Sequence, residues 1–493
     1  MTLTELADLI PGAAVIGNPA AQPTSLALDS RAVVPGGLFF GVPGFNTDGA
    51  RFLGEAIRNG AAAAVLESEP ESEVEIPILH VPGVRKSIGP IAAAFHGYPS
   101  RSLHLVGVTG TNGKTTTTYL IEAVATAAGR ATGVIGTIGA RVNGELLPGE
   151  RTTPEAPDLQ ALLAAISAAP GGHPAVAAME VSSHALDLGR TRGCEYDVAV
   201  FTNLTQDHLD FHGDMETYYR AKLQLFTDYP GQTGKAMKAV VNLDDAYGVR
   251  LVQDSRCPAL TYAVDTRADL TAHGVVCTAK GLSYRLRAPE GEFEVRLRIG
   301  ALFNVYNSLA AIGALRSLGF DWELIVSALA EASGVPGRFE SVDEGQPFGV
   351  IVDYAHSPDG LENVLRAARD LKPRRLLTVF GCGGDRDRTK RPIMGRIAAG
   401  YSDRTYVTSD NPRTEQPDAI LSEIAAGIPQ VADVVVEVDR RIAIARAIAD
   451  AEPGDLVVIA GKGHETYQIF ADRTIHFDDR EEAREAIHAL PAA

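Results

Sequence analysis

Short apolar runs, broken by polar, glycine- and proline-rich stretches, recur along the whole chain. Between residues 103 and 335 the strand-like runs are 103–108, 175–181, 198–204 and 239–243, and helical segments alternate with them. That alternation predicts a largely parallel sheet with helices on both faces. Before it, the first hundred residues hold an alanine-rich mixed pattern, with apolar stretches at 37–42 and 61–66. Beyond it, runs at 349–353, 376–380, 405–408 and 456–460 are each followed by a polar loop, as in a doubly wound sheet. Two stretches interrupt the pattern, HGYPSRS at 96–102 and GVPGRFE at 334–340. The expected fold class is therefore α/β in three domains, 1–100, 101–335 and 336–493, the middle one built on a mainly parallel sheet.

Composition narrows the class. A chain of 493 residues suits roughly three domains, and 45% hydrophobic with 22% charged residues is ordinary for a globular protein. No apolar run approaches the ~20 residues of a membrane helix. The opening MTLTELADLIPG has acids and no basic segment, unlike a signal peptide. Cysteines 194, 257, 277 and 382 are widely spaced and form no metal pattern, so reduced thiols in a cytoplasm are expected. A net charge of −17 argues against a nucleic-acid partner, though local arginines can still hold a small anion.

The first chemical signal is GTNGKTTTT at 110–118, between an apolar run and a helix-like segment. A strand, a glycine-rich turn and a helix form a phosphate cradle. Gly110 and Gly113 let backbone N–H groups approach the oxygens, with Thr111, Asn112 and Thr116 in the same loop. Lys114 would reach the outer phosphates and Thr115 would ligate Mg²⁺. The generic loop has a glycine five places before Gly113. Here Val108 stands there, and the nearest glycine is Gly107. A nucleoside triphosphate is the expected ligand.

Other strings add to it. Glu180 closes an apolar run and is a natural Mg²⁺ ligand facing such a loop. Asp207, His208, Asp210, His212 and Asp214 crowd eight positions; without the H-E-x-x-H arrangement they favour a magnesium-assisted phosphate site over zinc. Asn304 and Asn307, one helical turn apart, would read a base edge, or Asn304 would cap a helix. Arg338 in the second linker would reach a terminal phosphate. Near the C-terminus Arg386, Arg388, Lys390 and Arg391 share one loop, and Arg413 follows Asp410, Asn411 and Pro412. Arginine forks bind carboxylates, while Asp410 and Glu465 would bind an ammonium group. Together they describe an amino acid with more than one carboxylate.

GTNGKTTTT, MEVSSHAL, TNLTQDHLDFHG, GRFE, DYAHSPDGL, GCGGDRDRTKRP, DNPRTEQP and AGKGHE occur in this order and resemble the motif series of the Mur ligases. The resemblance spans almost the whole chain, from Leu28-Asp29-Ser30-Arg31 to Glu465, and is nearest to the members that add the third stem-peptide residue. It implies an N-terminal UDP-muramoyl-binding domain, a central P-loop ATPase and a C-terminal Rossmann-like domain that brings the amino acid. Leu28, Ser30, Asn46 and Thr47 would contact the UDP-muramoyl end, and Thr152, Thr153, Ser182 and Arg190 the peptide end. Phe45 stands where a His is frequent, and Leu188 where some relatives have Gln.

The resemblance places Asp353 and His356 with Arg338, Asn304 and Asn307 on the nucleotide, and Gly461 with Arg386, Arg413 and Glu465 on the amino acid. Lys222, by composition a surface helix residue, matches a lysine that the family carries as a carbamate; as an anion it would bind Mg²⁺ alongside His208 and Glu180.

The implied reaction is ATP-dependent addition of meso-diaminopimelate to the D-glutamate γ-carboxylate of UDP-N-acetylmuramoyl-L-alanyl-D-glutamate, through an acyl phosphate, in cytoplasmic peptidoglycan precursor synthesis. Lys114, Glu180, His208 and Lys222 would carry the catalysis, with ATP and Mg²⁺ required. No membrane insertion is expected, and the protein is expected to be a monomer. DNPR, with Arg413, accompanies diaminopimelate in this family, because a bidentate arginine suits a second carboxylate. The same ligation with L-lysine or L-ornithine, an inactive homologue that binds the UDP-sugar peptide, and a mechanical P-loop ATPase remain as alternatives. Folylpolyglutamate synthetases share the core chemistry, but DNPR and the Leu28–Arg31 string point away from them.

Overall fold

The computed structural model describes residues 1–44, 47–68, 74–147, 151–231, 234–279 and 281–490. The chain divides into two compact units. One comprises 1–262, 266–268 and 310–324; the other comprises 263–265, 269–309 and 325–493.

The first unit contains two sheets. The N-terminal sheet runs Ala14–Ile16, Ile78–His80, Ala61–Leu66, Gly37–Phe40, Ser25–Ala27, parallel except for the first pair. Leu38, Phe40, Val65 and Leu79 pack on Ile88 and Ile91 of the helix Val84–Phe95. In the second sheet, Leu103–Thr109 lies between Gly172–Glu180 and Val198–Phe201. Lys238–Asn242 and Ala259–Ala263 extend one side; Arg130–Gly136, Gly139–Val142 and Glu145–Leu147 extend the other. The inner strands are continuous valine, alanine and leucine runs because both of their faces are covered, as parallel sheets require.

Parallel register aligns the carboxyl ends. Glu180 pairs with Val108 and Phe201 with Thr109, so the glycine-rich loop, Glu180 and the segment after Phe201 emerge together. The departure from the generic phosphate loop also has a packing reason. Gly107 is a strand residue on which a Cβ would lie 2.7 Å from the Tyr196 ring, and Val108 is fully buried.

The apolar run 198–204 yields a strand only to Phe201. Thr202 turns its hydroxyl to the Asn112 carbonyl, and the Leu204 N–H goes to Asp245, so the chain leaves the sheet early.

In the second unit, Leu270–Thr278, Gly281–Ala288 and Gly291–Leu297 form an antiparallel meander. The other sheet runs Glu340–Ser341, Gly349–Asp353, Leu456–Ala460, Leu376–Phe380, Arg404–Val407, Val434–Val436, parallel after the first pair. Helices Pro358–Asp370, Lys390–Tyr401 and Pro417–Ala425 cover one face, and Arg440–Ala449 and Asp479–His488 the other. The polar strings DYAHSPDG, GCGGDRDRTKRP, TSDNPRTEQP and AGKGHET all follow carboxyl ends of these strands.

Candidate active site

The loop after Thr109 is braced from behind. At Gly110 φ is +144°, and a Cβ there would lie 1.9 Å from the Thr202 hydroxyl, so glycine is required. Thr202 Oγ1 donates to the Asn112 carbonyl at 2.6 Å, Asn203 Oδ1 accepts the Asn112 N–H at 2.9 Å, and the Thr111 N–H donates to the Asn203 carbonyl at 2.9 Å. Gly113, at φ +87°, turns the chain into the helix Lys114–Ala127, whose first residues are Lys114, Thr115 and Thr116. Lys114 Nζ lies over the loop, donating to the carbonyls of Gly110 and Thr111 at 3.0 and 2.7 Å.

Glu180 sits beside that helix, 1% exposed. Its Oε1 accepts from Thr115 Oγ1 at 2.9 Å and from the Thr137 N–H at 2.8 Å, and its Oε2 from Thr137 Oγ1 at 3.1 Å. Gly136 leaves room for it, since a Cβ there would lie 2.3 Å from Oε1.

Lys222, in the helix Met215–Thr227, is buried rather than on the surface. Its Nζ donates to the Gly110 carbonyl at 2.9 Å and lies 4.7 Å from the Tyr218 ring centroid. Burial, and then the charge of Lys114, hold its amine well below the usual lysine range. His208, at φ +54°, has its ring 6.1 Å from the Tyr218 ring and 5.0 Å from that of His184.

Thr115 and Glu180 offer hard oxygen donors. Mg²⁺ takes these together with waters and nucleotide phosphates, so the residues fit that ion. Among the described residues no three His, Cys, Asp or Glu side chains gather for a metal, and an open magnesium–nucleotide site needs no such cage.

A cavity of about 1230 Å³ opens in the same unit, lined among others by Leu28, Ser30 and Thr47 from the N-terminal sheet and by Arg85, Arg151 and Glu155. Ser30 Oγ donates to Glu55 at 2.5 Å. Asn46 lies outside the described residues. The peptide-side residues connect directly to Glu180. Thr153 Oγ1 donates to the Glu180 carbonyl at 2.8 Å and accepts the Ser182 N–H at 3.2 Å, Arg190 donates to the Thr153 carbonyl at 3.3 Å, and Thr152 pairs with Thr137 at 3.2 Å.

In the second unit, Asn304 lies inside the helix Phe303–Ser317 rather than at its cap. Its Nδ2 donates to the Gly300 carbonyl at 2.7 Å, and Asn307 Nδ2 donates to Asn304 Oδ1 at 2.9 Å. The linker GRFE meets two loops. Asp353 accepts the N–H groups of Phe339 and Ala355, at 2.7 and 2.9 Å, and burial raises its pKa. The Arg338 guanidinium lies 5.0 Å from the Tyr354 ring, on which His356 and His464 also pack. Burial keeps His356 below the usual histidine range and pushes His464 to about 4, with the Arg338 charge adding to the latter. Gly337 permits this meeting, since a Cβ there would lie 2.1 Å from the backbone of Gly463.

At the neighbouring strand ends, Asp410 and Asn411 are buried, and Gly461 (φ +122°) passes close to the Asp410 carboxylate. Asn411 Nδ2 donates to Glu465 Oε2 at 2.9 Å, an oxygen that also holds Lys462 Nζ at 3.0 Å. Arg413, at φ +52°, donates to the Gly384 carbonyl at 2.8 Å, and Gly384 in turn packs on Pro412.

The basic loop is not all available for an anion. Arg391 is fully buried on Glu415 and Glu423, Arg388 pairs with Glu423, and Lys390 donates to the His356 carbonyl. Arg386 is exposed at this edge. Sequence reasoning missed the bracing role of Thr202 and Asn203, and Thr137 and Glu155 altogether. The only sequence signal for the first two was their place in TNLTQDHLDFHG.

Fold and site together define an α/β protein with a phosphate loop, a buried carboxylate beside it and an acid- and amide-lined cradle in a second unit. The chain belongs to the Mur ligase family. The family's catalytic domain matches residues 23–96, the Mur ligase middle domain 108–315, and the Mur ligase glutamate ligase domain 337–463.

Among its curated relatives, the UDP-N-acetylmuramoyl-L-alanyl-D-glutamate–2,6-diaminopimelate ligase of Geobacillus thermodenitrificans (strain NG80-2) is 47% identical over 492 residues, 99% of each chain. That of Gloeobacter violaceus (strain ATCC 29082 / PCC 7421) is 49% identical over 465 residues, 94% of this chain and 93% of the relative. A solved structure of a ligase of that name superposes with TM-score 0.71 at 33% identity, covering 99% of both chains.

Proposed function

We propose that this chain is an ATP-dependent ligase that joins meso-diaminopimelate to the D-glutamate γ-carboxylate of UDP-N-acetylmuramoyl-L-alanyl-D-glutamate. The observation that carries the reading is the continuity from phosphate loop to peptide side. Thr115 hydrogen-bonds Glu180, and the Glu180 carbonyl accepts from Thr153, which stands with Ser182 and Arg190. A carboxylate held by the second group would lie next to a phosphoryl donor held by the first. Domains at 1–100, 101–335 and 336–493 would carry the UDP-muramoyl end, ATP and the amino acid, and the reaction would take place in the cytoplasm. Among the described residues no helix is long and apolar enough to cross a membrane.

A free carboxylate is a poor electrophile. Transfer of the ATP γ-phosphoryl group to its oxygen gives an acyl phosphate and ADP. The amine of diaminopimelate then adds to the acyl carbon, phosphate leaves, the amine proton passes to solvent, and an amide remains. Lys114 swings from the Gly110 and Thr111 carbonyls onto the transferring phosphoryl group and offsets its charge. Mg²⁺, held by Thr115, Glu180, His208 and Lys222 as a carbamate, would neutralise the phosphate oxygens when bound. Lys222 suits that modification because burial lowers the pKa of its amine, and only a neutral amine adds to carbon dioxide.

Asn304, Asn307, Arg338, Asp353 and His356 serve the nucleotide. Arg386, Asp410, Asn411, Pro412, Arg413, Gly461 and Glu465 hold the amino acid, with Arg413 on the carboxylate that lysine lacks. The test offers the protein ATP, Mg²⁺ and the UDP-muramoyl-dipeptide, with diaminopimelate or lysine, and measures phosphate release. Release with diaminopimelate supports the reading. Preference for lysine overturns the role of Arg413, and release without any amine overturns the ligase.

A further inference from the structure

Glu155 gathers three arginines from three places in the chain. Arg151 Nη1 lies 2.6 Å and Arg190 Nε 3.0 Å from Oε1, and Arg85 Nη1 lies 2.9 Å from Oε2. Arg85 is in the first turn of the helix Val84–Phe95, Arg151 precedes the Thr152–Thr153 pair, and Arg190 follows the short helix Ser183–Asp187. Glu155 stands at the N-cap of the helix Ala156–Ala168, where a side chain ordinarily caps a backbone N–H. It makes no such bond, and its carboxylate goes to the guanidiniums instead.

One arginine would satisfy a structural carboxylate. Three permanently charged guanidiniums on one carboxylate repel each other, and the positive charge remains in excess even with Asp158 counted. Burial lowers the pKa of Arg190, and Arg151 and Arg85 lower it further. Arg85, Arg151, Glu155 and Asp158 all line the 1230 Å³ cavity that Ser30 and Thr47 also line. Arg85 and Arg151 are thus held by one carboxylate at the edge of this cavity, and each guanidinium has further N–H donors that can meet an oxyanion entering it.

We propose that Arg85 and Arg151 bind anionic oxygens of the nucleotide-peptide substrate, and that Glu155 is the positioning residue that holds them, with Arg190, as one wall. The identity of the substrate rests on the function proposed above. The substrate carries two kinds of oxyanion that such a wall would take, its diphosphate and the glutamyl carboxylate that is not activated. Holding the latter would also select which carboxylate of D-glutamate meets the phosphoryl donor.

The test measures equilibrium binding of UDP and of UDP-N-acetylmuramoyl-L-alanyl-D-glutamate to wild type, Arg85→Gln, Arg151→Gln, Glu155→Gln and Glu155→Asp, with thermal melting and the KM for ATP alongside. Each arginine variant should bind the dipeptide about ten- to a hundredfold more weakly, with the KM for ATP and the melting temperature little changed. Glu155→Gln should lose comparable affinity, and Glu155→Asp should recover most of it. Parallel weakening of UDP assigns the diphosphate, and unchanged UDP binding assigns the carboxylate; both support the wall.

Wild-type affinity in both arginine variants overturns the proposal. So does affinity lost only in step with melting temperature without rescue by aspartate, or a wild type that binds neither ligand. Failure of the ligase reading is a different result: a wild type that binds the dipeptide but releases no phosphate with any amine.

Discussion

Lys114 and Lys222 donate to the same carbonyl oxygen, that of Gly110, at 3.0 and 2.9 Å. Two amines on one acceptor place two like charges close together, which favours the neutral form of the more buried one. Lys222 is the more buried, and burial and then Lys114 hold its pKa well below the usual lysine range.

This has a cost that pH can reveal. Below the lowered pKa, folded and unfolded chains both hold the proton, and the full penalty of burying the charge stands. Between that pKa and about 10.4, the unfolded chain holds a proton that the folded one has released, so stability rises with pH across this window. Lys222→Met should abolish turnover while matching or exceeding the wild type in unfolding free energy near neutral pH in carbon dioxide-free buffer. The wild type should gain on the variant as pH rises toward about 10. Denaturant unfolding at several pH values checks the sign.

Glu180→Gln keeps the shape of the side chain and removes its charge. Catalysis should fall by at least about a hundredfold, because charge stabilisation at the phosphoryl group is worth several kcal/mol. The melting temperature should shift little. Gly136→Ala approaches the same carboxylate from behind, where its Cβ would lie 2.3 Å from Oε1, and should also lower kcat. Steady-state kinetics with a melting control distinguish lost chemistry from lost fold.

The sequence made the sheet ends readable where a strand is a continuous apolar run covered on both faces. Residues 349–353, 376–380 and 456–460 are strands over those same spans. Lys114, Thr115 and Glu180 come together because parallel register carries the ends of neighbouring strands to one edge. The fate of Lys222 was not readable. In YRAKLQLF it sits among polar neighbours, and its burial depends on Gly110, 112 residues earlier. Glu155 escaped for the same reason, since Arg85 reaches it across 70 residues. The basic loop misled in the other direction, because the carboxylates that hold Arg388 and Arg391 lie on a later segment, at Glu415 and Glu423.

Arg413→Met should raise the KM for diaminopimelate by about ten- to a hundredfold, the range expected for one charge-assisted pair, and leave the KM for ATP unchanged. Gly383→Ala should act in the same direction, because its Cβ would lie 2.9 Å from Arg413 Nη1. Competition kinetics with lysine measure how much discrimination is lost.

Arg440 and Asp479 form a fully buried pair at 2.7 Å, and Arg440 also donates to the Ala460 carbonyl beside Gly461. Removing one partner leaves an uncompensated buried charge. Arg440→Met should therefore cost about 3–5 kcal/mol of stability, while replacing both partners by apolar side chains should cost less. Thermal or urea unfolding of the single and double variants measures the difference.

In the proposed reaction the phosphate of ATP activates a carboxylate. The direct measurement labels the D-glutamate γ-carboxylate of the nucleotide-peptide with a heavy oxygen isotope, runs the reaction with diaminopimelate, and weighs the phosphate released. An acyl phosphate hands a carboxylate oxygen to the leaving phosphate, so the released phosphate should carry the label. Unlabelled phosphate, with its new oxygen drawn from water, would contradict an acyl phosphate.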